Sequence, residues 1–304
     1  MIIKIIVKEL FYYYLVYISM KRTVFKWIAI LISIFSVLQI NVIADQRAPY
    51  FQAEDYFTYD LYWSLIKVGE AKLQFRNVSW YNQDDDFLKV DFTVRTWGIA
   101  DTIFKVRDHV ESWIDTTSNR SVHYKKKQRE GATIRDIKVN FDLEKNTCRY
   151  IEKEKLREPV SITSKTLDPL ALITALSRHK FTHKSNFSQS ATDGKKLIQI
   201  DAWLKYSQLI YLNSGTFDAH CVGISTKDLR GVFEKSPDSS IEIWFSNHSP
   251  SIPLRIESQV KVGSFYGELR EGRYNGKSLD SINRDQASSA LPSKSYEEST
   301  EDPI

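Results

Sequence analysis

Short stretches of alternating apolar and polar residues fill the chain between residues 50 and 274. The clearest examples are residues 70–75, 87–97, 133–141, 241–245 and 252–260. Because successive side chains of a strand point to opposite faces, each stretch predicts a strand with one apolar and one polar face. About ten to twelve such strands predict an all-β, mainly antiparallel fold. A sheet of that size curls, so we expect a strongly curved sheet or an incomplete barrel.

One segment follows a helical period instead, near residues 168–179. Asp168 is a good N-cap residue, and Pro169 suits the first position of a helix. Leu170, Ile173 and Leu176 then recur at intervals of three and form an apolar stripe. The sequence therefore predicts one helix that covers the sheet or its open end.

Residues 1–44 have the layout of an export signal. A short basic region that opens at Met20 precedes residues 27–38, which are apolar except for two serines. Short side chains after this core predict cleavage between Ala44 and Asp45. The predicted location is therefore outside the cytoplasm, in the periplasm.

Two features of this leader stay open. Translation begins at either Met1 or Met20, because signals rarely start so far upstream of their apolar core. An uncleaved leader would anchor the protein in the inner membrane and would be its one contact with a membrane. The twelve-residue core is shorter than the roughly 20 residues of a spanning helix, which favours cleavage.

Composition divides the rest of the chain into a single β domain, residues 45–274, and a tail, residues 275–304. The tail is rich in serine and acidic residues, which predicts disorder. The leader holds five of the 42 basic residues and one of the 38 acidic residues, so the remainder carries no net charge. Without a basic excess, nucleic-acid binding lacks its main driving force.

Motifs for catalysis, cofactor binding and metal binding are missing from the sequence. It contains no Gly-x-Ser-x-Gly, no phosphate loop and no Gly-x-Gly-x-x-Gly. His179 and His183 have the i,i+4 spacing of a helical metal pair, but no glutamate completes a metalloprotease motif. We therefore predict no catalytic residue, no cofactor and no metal.

The two cysteines, Cys148 and Cys221, lie 73 residues apart and allow two interpretations. In an oxidising compartment they form a disulfide if their strands are neighbours. Otherwise they are two small buried apolar residues.

Two charged residues interrupt apolar faces. Asp108 is in phase with Val106 and Val110, and Arg135 is in phase with Ile137. An ionised group on an apolar face must be paired or must reach water. Asp108 and Arg135 therefore form a structural ion pair, lie at solvent-exposed strand ends, or mark a polar spot inside a ligand cavity.

Eight short motifs occur in order between residues 59 and 265. They are residues 59–63 (YDLYW), 66–71 (IKVGEA), 107–115 (RDHVESWID), 168–170 (DPL), 215–218 (GTFD), 243–246 (IWFS), 252–257 (IPLRIE) and 263–265 (GSF). Together they resemble the bacterial envelope family called domain of unknown function 3108, over about residues 55–274. The chain departs from that family at Cys221, since Ala219 and His220 separate it from the Phe-Asp pair that a cysteine often follows directly.

The resemblance implies an exported, mostly β protein without an assigned activity. A looser likeness to periplasmic lipoprotein carriers, which have an unclosed barrel and a helical lid, is an analogy of fold. We therefore expect a non-enzymatic envelope protein that binds an apolar or amphipathic ligand, such as a lipid or lipoprotein-like molecule, in a cleft of the sheet. The alternative is an envelope scaffold or interaction protein without a small-molecule ligand. The oligomeric state stays open.

Overall fold

The polypeptide forms sixteen strands and two helices within the residues that the computed structural model describes, which are 51–79, 86–225, 240–247, 251–259 and 264–279. The strands are β1 (Tyr56–Trp63), β2 (Ile66–Ser79), β3 (Asp86–Thr96), β4 (Arg107–Asp115), β5 (Arg120–Glu130), β6 (Thr133–Asp142), β7 (Thr147–Glu152), β8 (Lys155–Leu156), β9 (Val160–Ser161), β10 (Phe187–Thr192), β11 (Leu197–Leu212), β12 (Gly215–Ile224), β13 (Ser240–Ser246), β14 (Pro253–Gln259), β15 (Ser264–Tyr274) and β16 (Lys277–Ser278). The helices are α1 (Gly98–Ile103) and α2 (Pro169–Arg178).

All the strands belong to one antiparallel sheet. Its order is β10-β11-β12-β13-β14-β15-β1-β2-β3-β4-β5-β6-β7-β8, with β16 beside β15 and β9 beside β7. The all-β prediction is confirmed, although the number of strands exceeds the predicted ten to twelve. The excess comes partly from β8, β9 and β16, which have two residues each and are too short to show an alternating pattern.

Alternation along the strands separates the inner and outer faces as predicted. On β3, Leu88 and Val90 are buried, and Phe92 packs against the same core. On β6, Ile137 and Val139 are buried in that core as well. The register joins these side chains in rows across neighbouring strands, because antiparallel partners lie directly opposite each other on one face.

Aromatic side chains fill one part of the interior. The rings of Phe51 and Phe75 stack at a centroid distance of 4.3 Å, and Phe57 meets Phe51 edge-on at 5.6 Å. All three side chains are almost completely buried. Aromatic packing of this kind stabilises the core beyond its burial of apolar area.

The two end strands of the sheet, β10 and β8, do not pair with each other. The segment after β9, a strand that pairs with β7, links the two ends, since Leu167 forms a parallel bridge with Ala191 of β10. The turn between β10 and β11 contacts strands near the opposite end of the sheet, because a Cβ at Gly194 would lie 2.6 Å from Cγ2 of Val139 on β6. The result is the incomplete barrel that the sequence predicts.

Helix α2 begins and ends close to its predicted bounds. Asp168 caps its first turn by accepting hydrogen bonds from the Leu170 and Ala171 amides, at 2.9 and 3.1 Å. Leu170 and Leu176 are buried against the sheet. Helix α1 was not predicted, because its six residues contain too few turns for a helical period to be visible.

Order continues beyond residue 274, the predicted end of the β domain. Strand β16 pairs with β15, and the side chain of Leu279 is buried in the core. The signal peptide, its cleavage site at Ala44 and Asp45, and the rest of the tail lie outside the described residues. Within the described part of the chain, neither helix has the length and apolarity needed to cross a membrane.

Candidate functional site

A cavity of about 390 Å³ lies between helix α2 and the inner face of the sheet. Its walls come from β1, β2, β3, β14 and β15, together with the residues beside them and Ile173 of α2. The lining residues are Tyr59, Leu61, Tyr62, Val68, Ala71, Leu73, Phe92, Val94, Thr96, Val106, Ile173, Pro253, Ile256, Ser258, Phe265, Tyr266 and Gly267. This volume falls in the range of small-molecule sites, about 300 to 1,000 Å³.

Gly267 helps to keep this space open. In the register of the sheet it stands between Ile256 and Leu61. A Cβ at Gly267 would have the Leu61 Cδ2 atom as its nearest contact, at 3.1 Å. A larger residue here would therefore place its side chain beside Leu61, where the cavity now lies.

The polar atoms among the lining residues are few, and two of them already have partners. The Tyr59 hydroxyl donates to the Pro253 carbonyl at 2.9 Å. The Thr96 hydroxyl donates to Asp101 at 2.6 Å and accepts from the Val106 amide at 2.9 Å. None of the lining residues is charged. The cavity therefore suits the apolar part of a ligand, because it offers no counter-ion for a buried charge.

The cavity reaches the surface beside the end of β1, the end of β3 and the start of β15. Phe265 at the start of β15 lines the cavity, yet 49% of its surface is exposed. Its ring stacks on Trp63 at the end of β1, at a centroid distance of 6.0 Å. Val68 and Thr96 line the same region and belong to the paired ends of β2 and β3.

A buried polar cluster holds helix α2 against the sheet. The Ser112 hydroxyl of β4 donates to Asp168 Oδ2 at 2.6 Å, and the Asp168 amide donates to the Ser121 hydroxyl of β5 at 2.8 Å. Asp168 is fully buried, and this burial raises the pKa of its carboxyl against the opposing effect of the hydrogen bonds. Because Ile173 is on the same helix, this cluster also positions one wall of the cavity.

Asp108 and Arg135 share a face of the sheet but do not pair with each other. Asp108 accepts a hydrogen bond from the Arg129 amide at 2.8 Å, whereas Arg135 Nε lies 3.7 Å from Glu152 Oε1. Gln128 of β5 stands opposite Arg135, so that a whole strand separates the two charges. Of the three interpretations given for these two residues, the mutual ion pair is therefore wrong.

Neither of these residues lines the 390 Å³ cavity. Asp108 stands opposite Val94, which does line it. Burial, together with the neighbouring carboxyl of Glu130, raises the pKa of the Asp108 carboxyl to about 6. A role of Asp108 and Arg135 in contacting a ligand stays a prediction.

The outer face carries a group of side chains with the composition of a metal site, although the sequence suggested none. Ligand atoms of Asp91, His109 and Glu111 lie within 4.8 Å of one another. Lys89 Nζ, however, is 2.5 Å from Glu111 and 3.4 Å from Asp91, and Arg76 pairs with Asp91.

These cations determine the chemistry of the cluster. They hold the pKa of both carboxyls below the usual range, although burial alone would raise it. Lysine is a poor neighbour for a bound divalent cation, and the two acids are already neutralised. The cluster is best explained as an ion-pair network that stabilises the outer face.

The two cysteines are free and buried, which corrects the disulfide interpretation. Cys148 lies on β7 and Cys221 on β12, and these strands are not neighbours in the sheet. Burial, together with the hydrogen bond to Glu242, raises the pKa of the Cys221 thiol to about 12. A thiol that stays protonated at neutral pH is a poor nucleophile.

A second groove of about 690 Å³ runs between α2 and the strands β10 and β11. It is lined by Leu172 of α2 and by Ile198 of β11, but also by Arg157 and Lys195. Arg157 and Lys195 both lie over the Tyr150 ring, at 4.8 and 5.2 Å. Because these cations are engaged with Tyr150, the apolar cavity is the stronger candidate for a binding site.

The geometry defines a class of protein: an open antiparallel barrel with one helix against its inner face and an apolar cavity between them. A family model described as a protein of unknown function (DUF3108) matches residues 58–270, more than half of the chain. The chain therefore belongs to the DUF3108 family.

Two solved structures are similar to parts of this chain and have little sequence in common with it. A β-barrel-like protein of domain of unknown function DUF1849 from Brucella abortus is 10% identical, with a TM-score of 0.49 over 74% of this chain and 99% of that one. A “putative lipoprotein” from Parabacteroides distasonis is also 10% identical, with a TM-score of 0.29 over 74% and 98% of the two chains. No curated protein matches the chain.

Proposed function

We propose that this protein is a non-enzymatic binding protein for the apolar chain of a lipid or similar amphipathic molecule. The observation that supports this most strongly is the uncharged cavity of about 390 Å³ under helix α2. Burial of each CH₂ group contributes about 0.8 kcal/mol, so a chain of about twelve carbons could supply up to roughly 10 kcal/mol before entropy costs. We further propose that the protein is exported to the periplasm, on the basis of the leader sequence alone.

The shape of the cavity supports an apolar chain with its polar end at the surface. Deep lining residues such as Ala71 and Leu73 are buried, whereas Phe265 and Tyr266 are partly exposed. A headgroup would then stay in water, and no buried counter-ion is required.

The test uses N-phenyl-1-naphthylamine, an apolar dye that fluoresces when it leaves water, with the full chain. Dye binding should be saturable, and dodecanoic acid should displace it. Ile173→Trp places a larger ring in the cavity wall and should weaken dye binding at least tenfold. Leu209→Trp adds the same ring at an exposed position of β11 that does not line the cavity, so it should leave binding unchanged.

A second variant keeps the test decisive if Ile173→Trp fails to fold. Gly267→Leu adds a side chain to the cavity wall from β15, where an added Cβ would lie 3.1 Å from Leu61 Cδ2 and 3.8 Å from Tyr59 Cβ. If both variants keep the circular dichroism spectrum of the parent chain and still bind the dye normally, the cavity is not the binding site and the proposal is wrong.

A further inference from the structure

The surface around the cavity mouth exposes several large apolar side chains that converge from separate parts of the chain. Two groups contribute: the turn between β1 and β2, and helix α1 with the residue after it. We call these residues the mouth rim; they are Trp63, Leu65, Ile66, Ile99, Ile103 and Phe104.

The register places both groups beside the mouth. Trp63 pairs with Ile66 across the turn and stacks on Phe265, which lines the cavity. Helix α1 follows directly after β3, where the Trp97 amide donates to the Val68 carbonyl at 3.1 Å. The rim is therefore continuous with the entrance of the proposed binding site.

The exposure of the rim is unusual for side chains of this kind. Leu65 is 91% exposed, Ile99 is 81% exposed and Ile103 is 74% exposed. Ile99 and Ile103 are four residues apart, so they share one side of α1, and this helix has no buried residue at all. Single exposed apolar residues are ordinary, but a contiguous group marks a surface that contacts an apolar partner.

Charged residues beside the rim identify the chemistry of the partner. Residues 63–68 and 97–107 contain three basic residues, Lys67, Lys105 and Arg107, and one acid, Asp101. Lys67 pairs with Asp60, but the lysine side chain is 39% exposed and the aspartate only 6%. Arg107 pairs with Asp101 and is also the more exposed partner. In both pairs the basic side chain is the more exposed partner, and Lys105 is exposed as well.

We propose that the mouth rim docks on the surface of a lipid bilayer that contains anionic phospholipid. The isoleucine, leucine and tryptophan side chains enter the acyl boundary, while Lys67, Lys105 and Arg107 meet the headgroup phosphates. The open end of the cavity then faces the bilayer. Docking rests on the proposed function for its purpose, since it lets an apolar chain pass between bilayer and cavity without crossing water.

Site-specific fluorescence in the full chain tests this, because each dye reports the surroundings of its own position even if the leader contacts the vesicle. Leu65→Cys and Ile99→Cys each carry a nitrobenzoxadiazole dye, and Leu209→Cys on β11 is the matched control at another exposed leucine. The native cysteines are buried, and the unsubstituted chain measures any labelling of them. Vesicles contain phosphatidylcholine with or without about one third phosphatidylglycerol.

With phosphatidylglycerol present, the dyes at positions 65 and 99 should shift their emission to the blue, and brominated lipid should quench them. The dye at 209 should not respond, and 0.5 M NaCl should weaken the response because salt screens the headgroup contacts. Unshifted dyes at 65 and 99, or an equal shift at 209, would overturn the proposal. An equal response to vesicles of phosphatidylcholine alone would overturn the proposal that the rim requires anionic lipid.

One other result would also count against docking on a bilayer. A blue shift on raising the protein concentration without vesicles would assign the rim to a second copy of the chain. The dye-binding assay with N-phenyl-1-naphthylamine is run without vesicles and is independent of the rim. If the dye fails to bind but the rim docks on vesicles, the cavity proposal alone is rejected. If the dye binds but the rim does not dock, the docking proposal alone is rejected.

Discussion

At the scale of single residues, Asp168 links the helix to the sheet. Its carboxylate caps α2 and accepts from Ser112, and its amide donates to Ser121, all in the interior. The sequence predicted the capping role from the Asp-Pro pair. It did not predict the contacts with Ser112 and Ser121, because those residues are 56 and 47 positions away in the chain.

Replacing this carboxylate should be costly. Asp168→Ala removes the cap, worth about 1 kcal/mol, and leaves buried hydroxyl and amide groups without a partner, at about 1 to 3 kcal/mol. We expect the free energy of unfolding in urea to fall by about 2 to 4 kcal/mol. Asp136→Ala, which breaks an exposed ion pair with Arg129, should cost less than about 1 kcal/mol. Equal losses in the two variants would contradict the assigned role of Asp168.

Titration of Asp108 makes the stability of the fold depend on pH, and the direction of this dependence follows from the pKa of its carboxyl. Its folded pKa of about 6 lies above the ordinary value of 3.8, so the folded state binds the proton more tightly than the unfolded state. Its contribution to stability is therefore complete below pH 3.8 and is lost as the pH rises through about 6.

Asp108→Asn mimics the protonated carboxyl and removes this loss. Relative to the parent chain, the variant should gain stability between pH 4 and pH 7, by about 1 kcal/mol because Asp108 is partly exposed. Urea unfolding at pH 4, 5, 6 and 7 measures the difference. A difference that does not change with pH would show that the folded pKa is not raised.

At the scale of elements, the turn between β10 and β11 joins two distant parts of the sheet. Gly194 has a φ of +89°, which favours glycine, and its Cα faces the side chains of Val139 and Tyr150. This turn replaces the strand pairing that would close a complete barrel. It should therefore tolerate no larger residue.

A pair of glycine variants separates backbone strain from packing. Gly194→Ala adds a Cβ that would lie 2.6 Å from Val139 Cγ2, in addition to its unfavourable φ. We expect a loss of about 2 to 4 kcal/mol in the free energy of unfolding. Gly276 has a φ of +77° but open space around it, so Gly276→Ala should lose only about 1 kcal/mol. Similar losses in both would show that the packing of this turn contributes nothing.

Local patterns explain which elements could be predicted from the sequence. Alternation identifies β3 and β6 and assigns their faces correctly, because the apolar face of a strand must be buried whatever its neighbours are. The turn at Gly194, the bridge at Leu167 and the cavity beside Gly267 depend on strands far apart in the chain. No local period records such contacts, so the site itself could be expected only as a cleft between sheet and helix.

At the scale of the whole molecule, three features act together. Phe51, Phe57 and Phe75 fill one part of the barrel, the uncharged cavity occupies another, and the mouth rim surrounds its opening. The charged side chains of the outer face pair with one another, as Lys89 does with Glu111. The fold therefore separates a polar exterior from an interior that is not completely filled.

Methyl NMR of the full chain tests the central claim most directly, because it observes the cavity wall itself. Titration with dodecanoic acid should shift the methyl signals of Val94, Val106, Ile173 and Ile256, which line the cavity. The signals of Val139 and Ile162, which are buried elsewhere in the core, should change little. Saturable shifts confined to the lining residues are the predicted result. No shifts, or shifts confined to residues outside the cavity, would contradict an apolar binding site in this barrel.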